Sequence, residues 1–208
     1  MEDQAKSLSA VMHNRHSVRK YDPEFKIQRS EIEEILTEAA TAPSSSNLQP
    51  WRFLVIEDQE VKKELRAIAN NQEQVETASA IIAVIGNLEM YKDAEKIYGM
   101  NVEAGFMDEA TKNQIVGNIS NVYPKAPRAE LKSVAAFDAG LISMQLMLIA
   151  KARGYDTVTM GGFDKAKFTE RFELPENQTP FVLIALGKAA SPSYKTTRLP
   201  LSDITTFI

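Results

Sequence analysis

Hydrophobic positions along this chain follow two periods, one near 3.6 residues and one close to continuous. Leu8, Val11 and Met12 recur at helical spacing and predict a short amphipathic helix over residues 5–14. Ser30 followed by Glu33 has the spacing of a capping box, and Ile32, Ile35, Leu36, Ala39 and Ala40 then share one face. Trp51 to Ile56 reads as a buried strand, after which Asp58 caps a helix carrying Val61, Leu65 and Ile68. Asn70-Asn71-Gln72 interrupts that pattern before a second short helix, and Ala80 to Gly86 predicts a core strand. Leu88–Ile97 and Val102–Val116 are read as helices, closed off by Pro124 and Pro127. Arg128–Arg153 is the longest helical signal, with Gly154 placed to cap it. Its middle, Ala135 to Met147, is apolar nearly all round, as in a central helix or one at a subunit interface. Strands Tyr155–Met160 and Phe181–Gly187 flank a helix over Lys165–Phe172 capped by Asp164. With no repeat or linker, residues 1–208 are expected to form one domain. Residues 88–127 would be a helical lid or dimer-wrapping insert, and 188–208 a C-terminal arm ending in Ile204, Phe207 and Ile208.

Composition narrows the chemistry. The chain has no cysteine, which excludes disulfides, thiolate nucleophiles, iron–sulfur clusters and cysteine-based zinc sites. His13 and His16 are its only histidines and no G-x-S-x-G is present, so neither a His-rich metal site nor a nucleophile elbow is expected. Redox chemistry would have to come from a bound organic cofactor or a carboxylate-held metal. A net charge of −4 does not suit a general nucleic-acid binder. The start, Met1-Glu2-Asp3-Gln4, is acidic and lacks the apolar core of a signal peptide. The apolar stretch Val134–Ala150 is short for a bilayer and carries Asp138 and Gln145. A soluble, cytoplasmic protein with no membrane partner is the expectation.

Three stretches stand out as candidate sites. Ala42-Pro43-Ser44-Ser45-Ser46-Asn47-Leu48-Gln49-Pro50-Trp51 joins a helix to a strand, stiffened by a proline near each end. Its neutral hydrogen-bonding side chains suit a flat heteroaromatic ligand with carbonyls and ring nitrogens; they also suit a turn that satisfies its own backbone. Arg15-His16-Ser17-Val18-Arg19-Lys20-Tyr21, if extended, puts Arg15, Ser17 and Arg19 on one side. Two guanidinium forks around a hydroxyl fit a phosphate, and a solvated basic run has the same composition. Met160-Gly161-Gly162-Phe163 lets a backbone approach a flat ligand, or is an ordinary turn.

Together with Arg198-Leu199-Pro200-Leu201, these segments, in this order and spacing, resemble the FMN-dependent nitroreductase family from about Ser9 to the C-terminus. The similarity is to the small bacterial NAD(P)H nitroreductases of about this length. The resemblance implies an α+β fold, a mixed and mainly antiparallel sheet flanked by helices, in an intertwined homodimer with two FMN sites at its interface. Carried over by position, Arg15, Ser17 and Arg19 meet the FMN phosphate, ribityl or pyrimidine edge, with His16 beside them. Pro43, Ser44, Ser45 and Asn47 reach the flavin ring from the other subunit, with Gln49 near. Asn71 bonds the pyrimidine side, the backbone of Gly161 and Gly162 faces flavin N5, and Arg198 is a phosphate ligand. The chain departs from many relatives in carrying Thr196 where they have lysine (Lys195 is one place off), in lacking a lysine near Gln74, and in having Gly161 where some have glutamate.

The implied activity is a ping-pong oxidoreductase in which NAD(P)H passes hydride to flavin N5 and a nitroaromatic, quinone or similar flat small molecule then accepts it. The cofactor does the chemistry, so no catalytic side chain and no metal are assigned. Relatives of the same fold that reduce enones, dehalogenate or fragment flavin differ mainly in their lid inserts. A flavin-binding or storage protein is the alternative of another class.

Overall fold

A computed structural model describes residues 7–208. The acidic start Met1–Gln4, and Ala5 and Lys6 of the expected first helix, lie outside the described residues. Four strands form one sheet in the order β1-β2-β4-β3: β1 Trp51–Ile56, β2 Ala80–Asn87, β3 Asp156–Met160 and β4 Gln178–Gly187. Among the described residues all three strand pairs are antiparallel, and the parallel component is a single bridge from Ser17 to Thr157 outside the β3 edge.

The alternation of β2 shows why it reads as a continuous apolar run. Ile81, Ala83 and Ile85 point to one face, while Ala80, Ile82 and Val84 point to the other. On the first face pack α3 (Gln59–Ile68), α4 (Glu73–Thr77) and α8 (Lys165–Arg171), through residues such as Leu65, Val75 and Phe168. On the second pack α2 (Arg29–Ala39) and α7 (Arg128–Ala152), through Ile32, Ile35, Ile142 and Leu146. Helices cover both faces, so β2 has no solvated side and needs no polar position. Burying each such large aliphatic side chain contributes about 1.5–3 kcal/mol. Arg153, at the end of α7, ties it to α2 through Glu31, Glu34 and Glu38 at 3.3, 2.7 and 3.1 Å.

Several boundaries differ from expectation for identifiable reasons. The expected capping box at Ser30 is not formed: α2 starts at Arg29, so Ser30 is already inside the helix. Strand β4 begins three residues before Phe181, and it admits Pro180 because the pairing slips there. Ile85 faces Pro180 but Val84 faces Val182, leaving Phe181 as the extra residue of a bulge. The insert also breaks elsewhere. After a 3-10 turn, α5 spans Ala94–Glu103 and α6 spans Glu109–Val122, correcting the helices expected at Leu88–Ile97 and Val102–Val116. Gly105 takes a left-handed φ of +74° and Asp108 caps α6 by accepting from Thr111 N at 2.7 Å, which ends one helix and starts the next. At the end of α7, Gly154 has the left-handed φ of +81° expected of it.

The 25 residues of α7 exceed the apolar stretch read from the sequence, and by length and composition this helix could cross a bilayer. Half of its most apolar window is buried inside the protein, and it packs against the sheet, as a core helix does. The last short helix, α9 (Leu201–Ile204), lies in an exposed C-terminal segment.

Candidate functional site

The basic segment after α1 (Leu8–Asn14) is extended along the outside of β3. Val18 is buried and its N–H donates to Thr157 O at 3.1 Å, which fixes the alternation and turns Ser17 and Arg19 the other way. Ser17 and Arg19 line a cavity of about 300 Å³ with Lys20, Glu73, Gln74 and Tyr194. Arg15, two residues before Ser17 in sequence, has its Nε buried and without a hydrogen-bond partner among the described residues. A buried guanidinium N–H with nothing to donate to is costly; any acceptor oxygen would satisfy it, and an anionic one would do so most strongly. His16 donates from Nδ1 to Asn14 O at 3.0 Å, which leaves its other ring nitrogen uncommitted.

Hydrogen bonds extend this wall toward the two glycines. Gln74 donates to Gln72 Oε1 at 3.0 Å, and Gln72 and Asn70 both donate to Gly162 O, at 3.0 and 2.9 Å. Between them Asn71 has a left-handed φ of +56° and an exposed side chain. The break in helical pattern at Asn70–Gln72 and the Gly161-Gly162 turn, 90 residues apart in sequence, thus form one surface. A Cβ built on Gly161 meets nothing within 4 Å, so the space over this backbone is open.

The Pro43–Pro50 loop lies elsewhere, leading into β1 at the opposite edge of the sheet. From β3 to β1 is three strand spacings, about 14 Å, and the basic segment lies outside β3. Ser46, Asn47 and Gln49 all hold left-handed φ values, of +48°, +50° and +46°. Non-glycine residues in that region are strained, and such a run persists only when its surroundings fix it. Several anchors do so. Buried Asp138 of α7 accepts from Ser45 N and Oγ, all at 3.1 Å, while Tyr98 OH donates to Ser46 O at 2.9 Å. Within the loop, Gln49 N donates to Ser44 Oγ at 3.0 Å. Burial raises the Asp138 carboxyl above its ordinary range, opposed by the two Ser45 donors.

Ser44 and Ser45 are therefore turned to internal partners, while Pro43, Ser46 and Asn47 stand exposed. Asn47 and Gln49 face a second cavity, of about 440 Å³, between the loop and α5. Arg198 is exposed and bonds only Thr196 Oγ1 and Thr197 O, at 2.8 and 2.7 Å; neither it nor Lys195 lines the first cavity. One chain thus gathers Ser17, Arg19 and, through Gln74, the Gly162 turn on one edge. It holds Pro43, Ser44, Ser45, Asn47 and Gln49 on the other and leaves Arg198 on the tail. Sequence reasoning missed Gln72, Gln74, Tyr98 and Asp138. Only Asp138 carried a signal, as a lone acid in an apolar helix.

Two polar half-sites on opposite edges of a helix-covered antiparallel sheet can be compared with known proteins. Residues 12–188 match the Nitroreductase family, and the chain belongs to it. It is 44% identical over 93% of its length (94% of the relative) to YdgI of Bacillus subtilis, which has a provisional NAD(P)H nitroreductase name. It is 37% identical over 97% of its length (94% of the relative) to the CLA biosynthesis enone reductase of Lactiplantibacillus plantarum. Among solved structures, one from Exiguobacterium sibiricum, provisionally named a nitroreductase and in complex with FMN, superposes with a TM-score of 0.94. It is 42% identical, and 98% of each chain is covered.

Proposed function

We propose that this chain is an FMN-dependent NAD(P)H oxidoreductase of the nitroreductase and quinone-reductase type, acting as a homodimer in the cytoplasm. The observation that carries the reading is the Arg15–Arg19 segment: a buried Arg15 guanidinium N–H without a partner among the described residues, followed by Ser17 and Arg19, which line a cavity. Arg15 and Arg19 would hold the FMN phosphate and neighbouring oxygens with Ser17 between them, and His16 offers one further ring nitrogen. Asn71, exposed beside the open backbone of Gly161 and Gly162, would meet the pyrimidine side. Pro43, Ser44, Ser45, Asn47 and Gln49 would shape the ring's other surroundings from the second subunit, and Arg198 would reach the phosphate only across that interface. When bound, FMN supplies hydride relay between NAD(P)H and a flat acceptor. The protein's contribution is position and charge: the cations of the first half-site favour negative charge at the pyrimidine edge without moving a proton.

A second copy is supported by what one chain leaves uncovered. Along α7, Phe137 is 65% exposed and Met144 40% exposed, and the buried Ser143 Oγ has no partner. The tail adds Leu199, Leu201, Ile204 and Phe207, all largely exposed. Two apolar surfaces of this kind on one chain support an association face, and a second copy would bring the loop of one chain to the basic segment of the other. The test is anaerobic: protein loaded with FMN should bleach with NADH or NADPH and recolour with menadione or a nitrofuran. Failure to bleach with either nicotinamide would sink the reading, and bleaching without turnover would favour a storage role. A second acceptor class, enones, is favoured by the 37% identity to the Lactiplantibacillus plantarum enone reductase, so an enone belongs among the acceptors tried.

A further inference from the structure

Beyond Asn47 and Gln49, the second cavity, of about 440 Å³, is lined by residues to which no flavin contact is assigned. Leu48, Ile97 and Met100 give it an apolar wall, and Arg52, Asp93 and Lys96 stand around it. The Arg52 guanidinium is consumed internally: Nη2 meets Asp93 Oδ2 at 2.6 Å, and Nη1 donates to Gln49 O and Trp51 O at 3.1 and 2.8 Å. Two acids close in sequence are also committed, Asp93 just before α5 to Arg52 and Glu95 on α5 to Lys112, each at 2.6 Å. Lys96 is exposed and enters no ion pair among the described residues. The cavity therefore holds a compensated pair and one uncompensated cation beside an apolar wall, at the end of the loop that carries Asn47 and Gln49.

We propose that this cavity receives the anionic end of a flat, otherwise apolar acceptor, an arene or enone bearing a carboxylate, with Lys96 as its counter-charge. This rests on the flavin reading, because the loop that lines the cavity is the one assigned to the flavin ring. The experiment compares 2-naphthoate with 2-naphthamide by calorimetry on the FMN-loaded protein, and 4-nitrobenzoate with 4-nitrobenzamide in turnover. Naphthoate is expected to bind about fivefold tighter than the amide at low salt, a difference that high salt erases. kcat/KM should follow the same ratio. In Lys96→Gln the preference should vanish and in Lys96→Glu invert, with the bound-flavin spectrum unchanged in both, since Lys96 is exposed and enters no ion pair among the described residues. Equal binding of acid and amide by the unsubstituted protein, or a preference that survives Lys96→Gln, would overturn the proposal. Failure of the flavin reading has a separate signature: neither nitro compound is turned over, whatever the calorimetry gives.

Discussion

Lys62 is fully buried on α3, with Nζ donating to Ala78 O at 2.6 Å and Ser79 O at 3.3 Å and no carboxylate bonded to it among the described residues. Burial, with Lys26 nearby, pushes its ammonium down to about 8. The unfolded chain then holds more protons than the folded one between about pH 8 and 10.5, so stability rises with pH across that window. Below pH 8 the folded state carries the full cost of the buried charge, on the order of 3 kcal/mol. Lys62→Met should therefore gain most over the unsubstituted protein at pH 7, and the gap in chemical-denaturation stability should narrow toward pH 10. A gap independent of pH would show that the lysine is not titrating in this range. A second residue-scale prediction concerns Asp138. Ser45→Ala leaves the buried carboxylate with only the Ser45 N–H donor, and Asp138→Ala removes both anchors at once. Each should cost about 1–3 kcal/mol, and the two should be non-additive in a double-mutant cycle because they share one contact. Additive losses would mean the pair does not fix the loop. Neither residue's role was readable from the sequence. Helical spacing gives the face on which Asp138 lies but not that Ser45, 93 residues away, closes on it.

At the scale of elements, the sequence was most legible where one period dominates. β2 is buried from Ala80 to Gly86 and was found within one residue, and the asparagine-rich break between α3 and α4 was also visible. The insert was misread because its apolar residues serve a small separate cluster: Met90, Ala94, Tyr98 and Ile119 pack on Leu48 of the loop. No single helical stripe results. The punctuation was nevertheless present, in Gly105 and in Asp108 followed by Thr111. Gly105→Ala should destabilise the insert by about 1 kcal/mol, since alanine is strained at φ +74°. A proteolysis or hydrogen-exchange measurement should place the loss in α5 and α6, and through Tyr98 in the Pro43–Pro50 loop. Loss spread evenly over β2 and α7 would contradict the view of the insert as a separately packed support for the loop.

At the scale of the whole molecule, the two segments proposed to share one FMN lie at opposite edges of the sheet. Sequence order alone could list both segments but could not place them on opposite edges, because strand order β1-β2-β4-β3 is not chain order. The measurement that tests this most directly is flavin content in mixed dimers. One chain carries Arg15→Ala with Arg19→Ala; the other carries Asn47→Asp with Gln49→Glu, substitutions that put carboxylates against the ring while keeping residues of similar shape. Each variant alone should purify nearly free of FMN, against about one equivalent per chain for the unsubstituted protein. Co-expressed and isolated by two tags, the heterodimer should regain about one FMN per dimer, because one of its two interface sites combines both intact halves. A heterodimer as empty as its parents, while the unsubstituted protein is loaded, would contradict a site shared between chains.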